Sequence, residues 1–244
     1  MKHFVTCLLF LLVTSACRKD KNISETGSTG GPSDFLKDSY YQKLVIQVIY
    51  VTGMKPNDGS SNNLSAFLKA RLNKPGGIEI VFREISPTGK PSLTLDDVQA
   101  LEKQWRSVQN SGHTLSASIL YLDGEYAQNS GSSKVLGIAY GFSSMVVFEK
   151  TLHDLSGGLT QPSRVLVESS VTNHEFGHVL GLVGNGISLV TPHQDGVHGH
   201  HCSNKSCLMY YATETSDIIA NLAGGNVPQP DGNCISDLQA AGGK

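Results

Sequence analysis

The run His174-Glu175-Phe176-Gly177-His178 sets two imidazoles four positions apart, with a carboxylate directly after the first. On a helix this spacing turns both rings to one face, about 5–6 Å apart. One nitrogen from each can then reach a single Zn²⁺ at about 2.0–2.1 Å. The chemistry this implies is metal-assisted hydrolysis. A zinc ion lowers the pKa of a bound water to about 7 and polarises a carbonyl. Glu175, beside the open coordination position, can take a proton from that water and pass it to a leaving amine. The neighbours Val171, Phe176, Val179, Leu180 and Leu182 are apolar, as a buried, metal-bearing helix requires.

A catalytic zinc needs a third protein ligand, and the residues leave two solutions open. In one, a later Glu binds the metal, and Glu214 is the sole Glu after His178. In the other, the helix ends at a glycine with positive φ and the chain returns with a third His. Gly181 stands where that turn would be.

The segment His174 to Gly181 resembles the metzincin signature H-E-x-x-H-x-x-G-x-x-H. It departs from it at Gly184, which occupies the place of the third histidine, and residues Asn185 to His200 follow as an insertion. The next string, His201-Cys202-Ser203-Asn204-Lys205-Ser206-Cys207-Leu208-Met209, is similar to archaemetzincins. In that family a third histidine is followed by a cysteine, four residues, a second cysteine, one residue and a methionine. The resemblance implies His174, His178 and His201 as zinc ligands, with His193, His198 and His200 as rivals to His201. It also implies Glu175 as general base and Met209 as the methionine of the Met-turn below the metal. Tyr211 matches a tyrosine that stabilises the oxyanion in relatives. Leu136 to Tyr140 looks like the metzincin edge strand, with Gly137, Ile138 and Ala139 pairing with an extended peptide substrate.

These residues need a scaffold, and the pattern along the chain describes one. Leu44 to Val51 is an almost continuous β-branched run, as in a buried strand. Asn62 is expected to cap a helix through Leu72, and Ile78 to Ile85 alternates as a strand. Thr94 opens a helix to about Asn110, with Asp97 completing a capping box. Further strands are expected at Ala117 to Leu122, Val135 to Tyr140 and Met145 to Glu149, before a long helix from Ser163. Beyond Gly181 only Thr215 to Leu222 and Ile235 to Ala241 look helical. Asn57-Asp58-Gly59 is a weak calcium-like signal that reads first as a turn. The expected fold class is α+β and metzincin-like. It has a twisted, mixed five-stranded sheet with helices, an active-site helix, and a small irregular C-terminal subdomain. The catalytic domain is expected over 40–244, with an upper subdomain at 40–183 and a lower one at 184–244.

Residues 1–17 resemble a bacterial lipoprotein signal: a basic start, an apolar run from Phe4 to Val13, and small residues before Cys17, the lipidation site. Residues 18–39 read as a flexible, Gly/Ser-rich tether. Too few residues separate Cys17 from the first strand for a folded prodomain. The expected location is the bacterial cell envelope, lipid-anchored and extracytoplasmic, with contact to the membrane through the lipid only. Three cysteines remain beyond Cys17: Cys202, Cys207 and Cys234. They allow a second, structural zinc, completed by a histidine such as His198 or His200, or else one disulfide and a free thiol. Among 244 residues with 39% hydrophobic content the formal net charge is -2, so no basic face recommends nucleic acid. Six of the nine histidines fall between His174 and His201, which concentrates metal-binding capacity in one stretch. The expected activity is zinc-dependent endopeptidase action on peptides or proteins, by a monomer. The alternatives are a non-catalytic zinc-containing binding lipoprotein and a zinc peptidase with Glu214 as its third ligand.

Overall fold

The computed structural model describes residues 31–130, 133–222 and 225–244. The signal, Cys17 and the tether up to residue 30 lie outside the described residues. The elements run α1 (Pro32–Leu36), β1 (Lys43–Val51), α2 (Asp58–Lys69), β2 (Ile78–Ile85), β3 (Ser92–Leu93), α3 (Leu95–Trp105), β4 (Thr114–Tyr121), β5 (Glu125–Tyr126), β6 (Gly137–Tyr140), β7 (Ser144–Val147), α4 (Glu149–Leu155) and α5 (Arg164–Val179). A 3-10 turn (Tyr211–Glu214), α6 (Ile218–Asn221) and α7 (Gly232–Ala240) complete the chain. The result is a mixed α/β fold around one mixed sheet.

The five strands lie in the order β2-β1-β4-β7-β6. All neighbours are parallel except β6, which pairs antiparallel with β7 and forms one edge. β1 sits between two parallel neighbours, and this explains its unbroken apolar run: both faces are covered. Ile46 and Val48 point into a core shared with α2 and α5. Ile49 and Val51 point into a second core with Val98 of α3 and Phe148. The five-stranded sheet therefore offers its edge β6 and its α5 face to whatever site the chain builds.

Several boundaries differ from the sequence reading for local reasons. The tether gives way at Pro32, not after residue 39, because Phe35 and Leu36 are fully buried. Phe35 sets its ring edge-on to Phe176 of α5, 6.0 Å between centroids. The Lys74 ammonium then clamps this segment by donating to the carbonyls of Asp34, Lys37 and Tyr41. α2 begins at Asp58 because Asn57, and not Asn62, is the cap; its side chain accepts from the Gly59 amide. α3 has the expected Thr94–Asp97 capping box but stops at Trp105. Arg106 leaves the helix extended, and its guanidinium is held by Glu102, Ser116, Ser143 and Ser144. The short parallel pair β3–β5 has too few residues to show a pattern in sequence.

Candidate metal centre

α5 starts at a cap: the Ser163 side chain accepts from the Leu166 amide. Two polar contacts fix it against the sheet side. The Asn57 amide donates to Glu168 at 2.8 Å, and the Tyr121 and Thr172 hydroxyls lie 2.9 Å apart. The helix ends as expected, with Gly181 at φ +82. A Cβ there would also come within 2.7 Å of Pro32, so both the turn and the docked N-terminal segment require glycine.

His174, His178, His201 and Glu214 each aim one donor atom at a common point, all four atoms within 4.8 Å of one another. His174 Nε2 and His178 Nε2 are 3.1 Å apart. His174 Nδ1 faces the Leu208 carbonyl at 2.7 Å, and His201 Nδ1 faces the His198 carbonyl at 2.6 Å. A carbonyl only accepts, so the proton of each ring sits on Nδ1 and the Nε2 lone pair points to the centre. Burial pushes His174 down to about 4 and holds His178 well below the ordinary histidine range, which keeps both neutral. Burial would lower His201 too, but Glu214 outweighs it and raises it. Glu214 in turn is held below the usual carboxylate range: burial would raise it, but His201 and His174 prevail. Converging lone pairs repel unless a cation lies between them. Moreover, His201 Nε2 is buried with no hydrogen bond of good geometry. These residues fit a zinc ion.

Glu175 is fully buried, and neither of its oxygens has a hydrogen-bond partner of good geometry. The Ala139 amide faces it, yet burial, with Glu214 nearby, holds its carboxyl well above the usual range. Room for it comes from Gly137, where a Cβ would lie 2.7 Å from Glu175 Cγ and 2.8 Å from its Oε1. Met209 is fully buried and packs against Gly177, where any Cβ would run into its thioether. The segment around it is thus tied to α5 twice, by this contact and by the Leu208 carbonyl on His174.

The cleft above these groups is lined by Ile138, Ala139, Glu175, His178, His201 and Glu214, and on the insertion side by Asn185, His198, Gly199 and His200. Tyr211 does not line it. Its ring stacks on His198, 3.7 Å between centroids, and leans on Tyr210.

A second cluster lies behind the first. Cys202, Cys207 and Cys234 are buried free thiols. Cys207 Sγ and Cys234 Sγ are 3.6 Å apart, and His193 Nδ1 stands 3.4 Å from Cys202 Sγ and 4.0 Å from Cys234 Sγ. The donor atoms of His193, Cys202, Cys234 and Asp231 lie within 4.8 Å of one another, with Cys207 against Cys234. A tetrahedral zinc with Zn–S arms of about 2.3 Å has S···S edges of about 3.8 Å, so this group fits a metal. The Met209 and Asp231 amides donate to Cys207 Sγ. With the neighbouring thiols Cys202 and Cys234 acting first, they help hold Cys207 down to about 4. The histidine that stands beside these thiols is His193, not His198 or His200. His198 pairs with Asp195 at 2.6 Å, and His200 Nδ1 faces the Val183 carbonyl. His193 is therefore also no rival to His201. Its orienting carboxylate is Asp237, 2.7 Å from Nε2. No local motif announces Asp237, which reaches His193 only because α7 folds back over the cysteines.

No protein-family profile and no curated protein matches the chain. Among solved structures it is similar to the crystal structure of archaemetzincin from Methanopyrus kandleri. That likeness has 13% identity, covers 82% of this chain and 95% of that one, and has a TM-score of 0.50. It is also similar to metalloproteinase-II from Bacteroides fragilis, at 15% identity over 84% of this chain and 54% of that one, with a TM-score of 0.46. At 13% identity the first likeness speaks for the fold.

Proposed function

We propose that the chain is a zinc-dependent endopeptidase, with His174, His178 and His201 as ligands and Glu175 as general base. One observation carries this reading: a buried carboxylate with unpartnered oxygens stands beside three imidazole nitrogens that converge on one point. When bound there, zinc would polarise the scissile carbonyl and acidify a water. Glu175 takes the proton of the attacking water and returns it to the leaving amine. A carboxyl with raised proton affinity suits both transfers. Gly137 and Ala139, whose backbone groups alternate away from β7 on the edge strand β6, offer them to an extended peptide, and Ile138 lines the cleft beside them. For Tyr211 to serve the oxyanion it has to leave its stack on His198. The purified protein is expected to cleave members of a random peptide library, to stop after chelation of zinc, and to recover when zinc is returned. Cleavage that persists in the metal-free protein would refute the proposal.

Cys202, Cys207, Cys234 and His193 hold a second, structural zinc in this reading. It braces an irregular subdomain that has little helix or strand of its own. Because Cys202 follows His201 directly, the same brace positions a ligand of the first site. The resemblance of residues 1–17 to a lipoprotein signal supports a location outside the cytoplasm, with lipid on Cys17. The membrane-fraction protein should carry the acyl mass there and the Cys17→Ala protein should not; an unmodified Cys17 would rule the anchor out.

A further inference from the structure

His201 and Glu214 were alternative third ligands in the sequence; in the fold both reach the same point. We infer that Glu214 is a fourth protein ligand, which caps the catalytic zinc and must be displaced before water or substrate can bind. This rests on the metallopeptidase reading above and goes one step beyond it.

The geometry carries the inference. A tetrahedron with arms of about 2.0–2.1 Å has edges of about 3.3–3.4 Å. His174 Nε2 and His178 Nε2 form one edge at 3.1 Å. Glu214 Oε2 lies 3.4 Å from His201 Nε2 and 3.9 Å from His174 Nε2. The carboxylate oxygen thus sits at ligand-to-ligand spacing, in the position a catalytic site leaves open for water. It does not sit at hydrogen-bond geometry, for His201 Nε2 has no such partner.

The scaffold also aims the side chain. The Leu136 amide donates to the Glu214 carbonyl at 2.8 Å, Val135 bridges Thr215, and the Ser216 amide donates to the Lys134 carbonyl at 2.7 Å. The backbone on both sides of Glu214 is therefore bound to the segment that leads into β6, the strand that borders the cleft. The side chain itself is 30% exposed, which leaves it a path out toward solvent. A fixed backbone with a side chain free to turn away makes a ligand that can be exchanged.

The test uses protein with cobalt(II) in the histidine site alone, recognised by the absence of thiolate-to-cobalt absorption. An open three-histidine site shows an acid–base transition near pH 7 in its visible spectrum; a capped site does not. The wild type should be flat between about pH 6 and 9, and Glu214→Gln should acquire the transition. Zinc affinity of the variant should fall by about 100-fold, since even partners outside the ligand set commonly contribute about 10–100-fold. A wild type that titrates like the variant overturns the cap, and this measurement on the unaltered protein needs no variant to fold. If His178→Ala binds as much cobalt in the histidine site as the wild type, the metallopeptidase reading falls together with the cap. A titrating wild type whose cobalt is lost in His178→Ala removes the cap alone.

Discussion

Glu175→Gln is expected to lower peptide hydrolysis by at least about 10³-fold with the metal content unchanged from wild type, toward the upper end of what a general base contributes. The substitution keeps the shape of the side chain and removes its ability to accept a proton. It should also be well tolerated by the fold. Glu175 is buried with no hydrogen-bond partner of good geometry, so an amide replaces a group that was already costly to bury. A companion variant separates chemistry from position. In Gly137→Ala the new Cβ would meet Glu175 and Val171 at 2.7–2.9 Å and displace the base, leaving the histidines untouched. Its kcat should fall and its zinc content should not. Steady-state hydrolysis with metal analysis decides both. Glu175→Gln activity within about ten-fold of wild type would remove Glu175 from the reaction.

His193→Ala and His201→Ala should remove different metals, and their contrast is the second large effect. His201→Ala should abolish hydrolysis and empty the histidine site, yet leave the thiolate-to-metal absorption of the cobalt-loaded protein intact. His193→Ala should weaken that absorption and lower the melting temperature sharply, because structural zinc sites contribute folding free energy directly. It should also reduce activity, through Cys202 and its neighbour His201. Thiol titration of the denatured protein should find Cys202, Cys207 and Cys234 all reduced, since none of them is in a disulfide. Unchanged thiolate absorption in His193→Ala would exclude His193 from the second site. Loss of that absorption in His201→Ala would mean that the two clusters are not separate.

What the residues determine by themselves is whatever depends on short spacing. The pair His174 and His178 and the glycine at 181 are one to two helical turns of covalent geometry, and no tertiary contact is needed to relate them. The same holds for the capping box at Thr94 and Asp97 and for the alternation in Ile78 to Ile85. The string from His201 to Met209 was legible only through its resemblance to archaemetzincins, not from spacing alone. Three things were decided only by the tertiary structure. The tether boundary moved to Pro32 because Phe35 found Phe176, far along the chain. His193 went to the cysteines, and not to the histidines, because Asp237 on α7 orients it from 44 residues away. Glu214 joined His201 at one point because its backbone hydrogen-bonds to Leu136, ahead of strand β6. In each case the deciding partner is remote in sequence. Residue type can make a side chain a candidate ligand, but only the packing of distant segments sets which of several candidates stands within about 3–4 Å of the others.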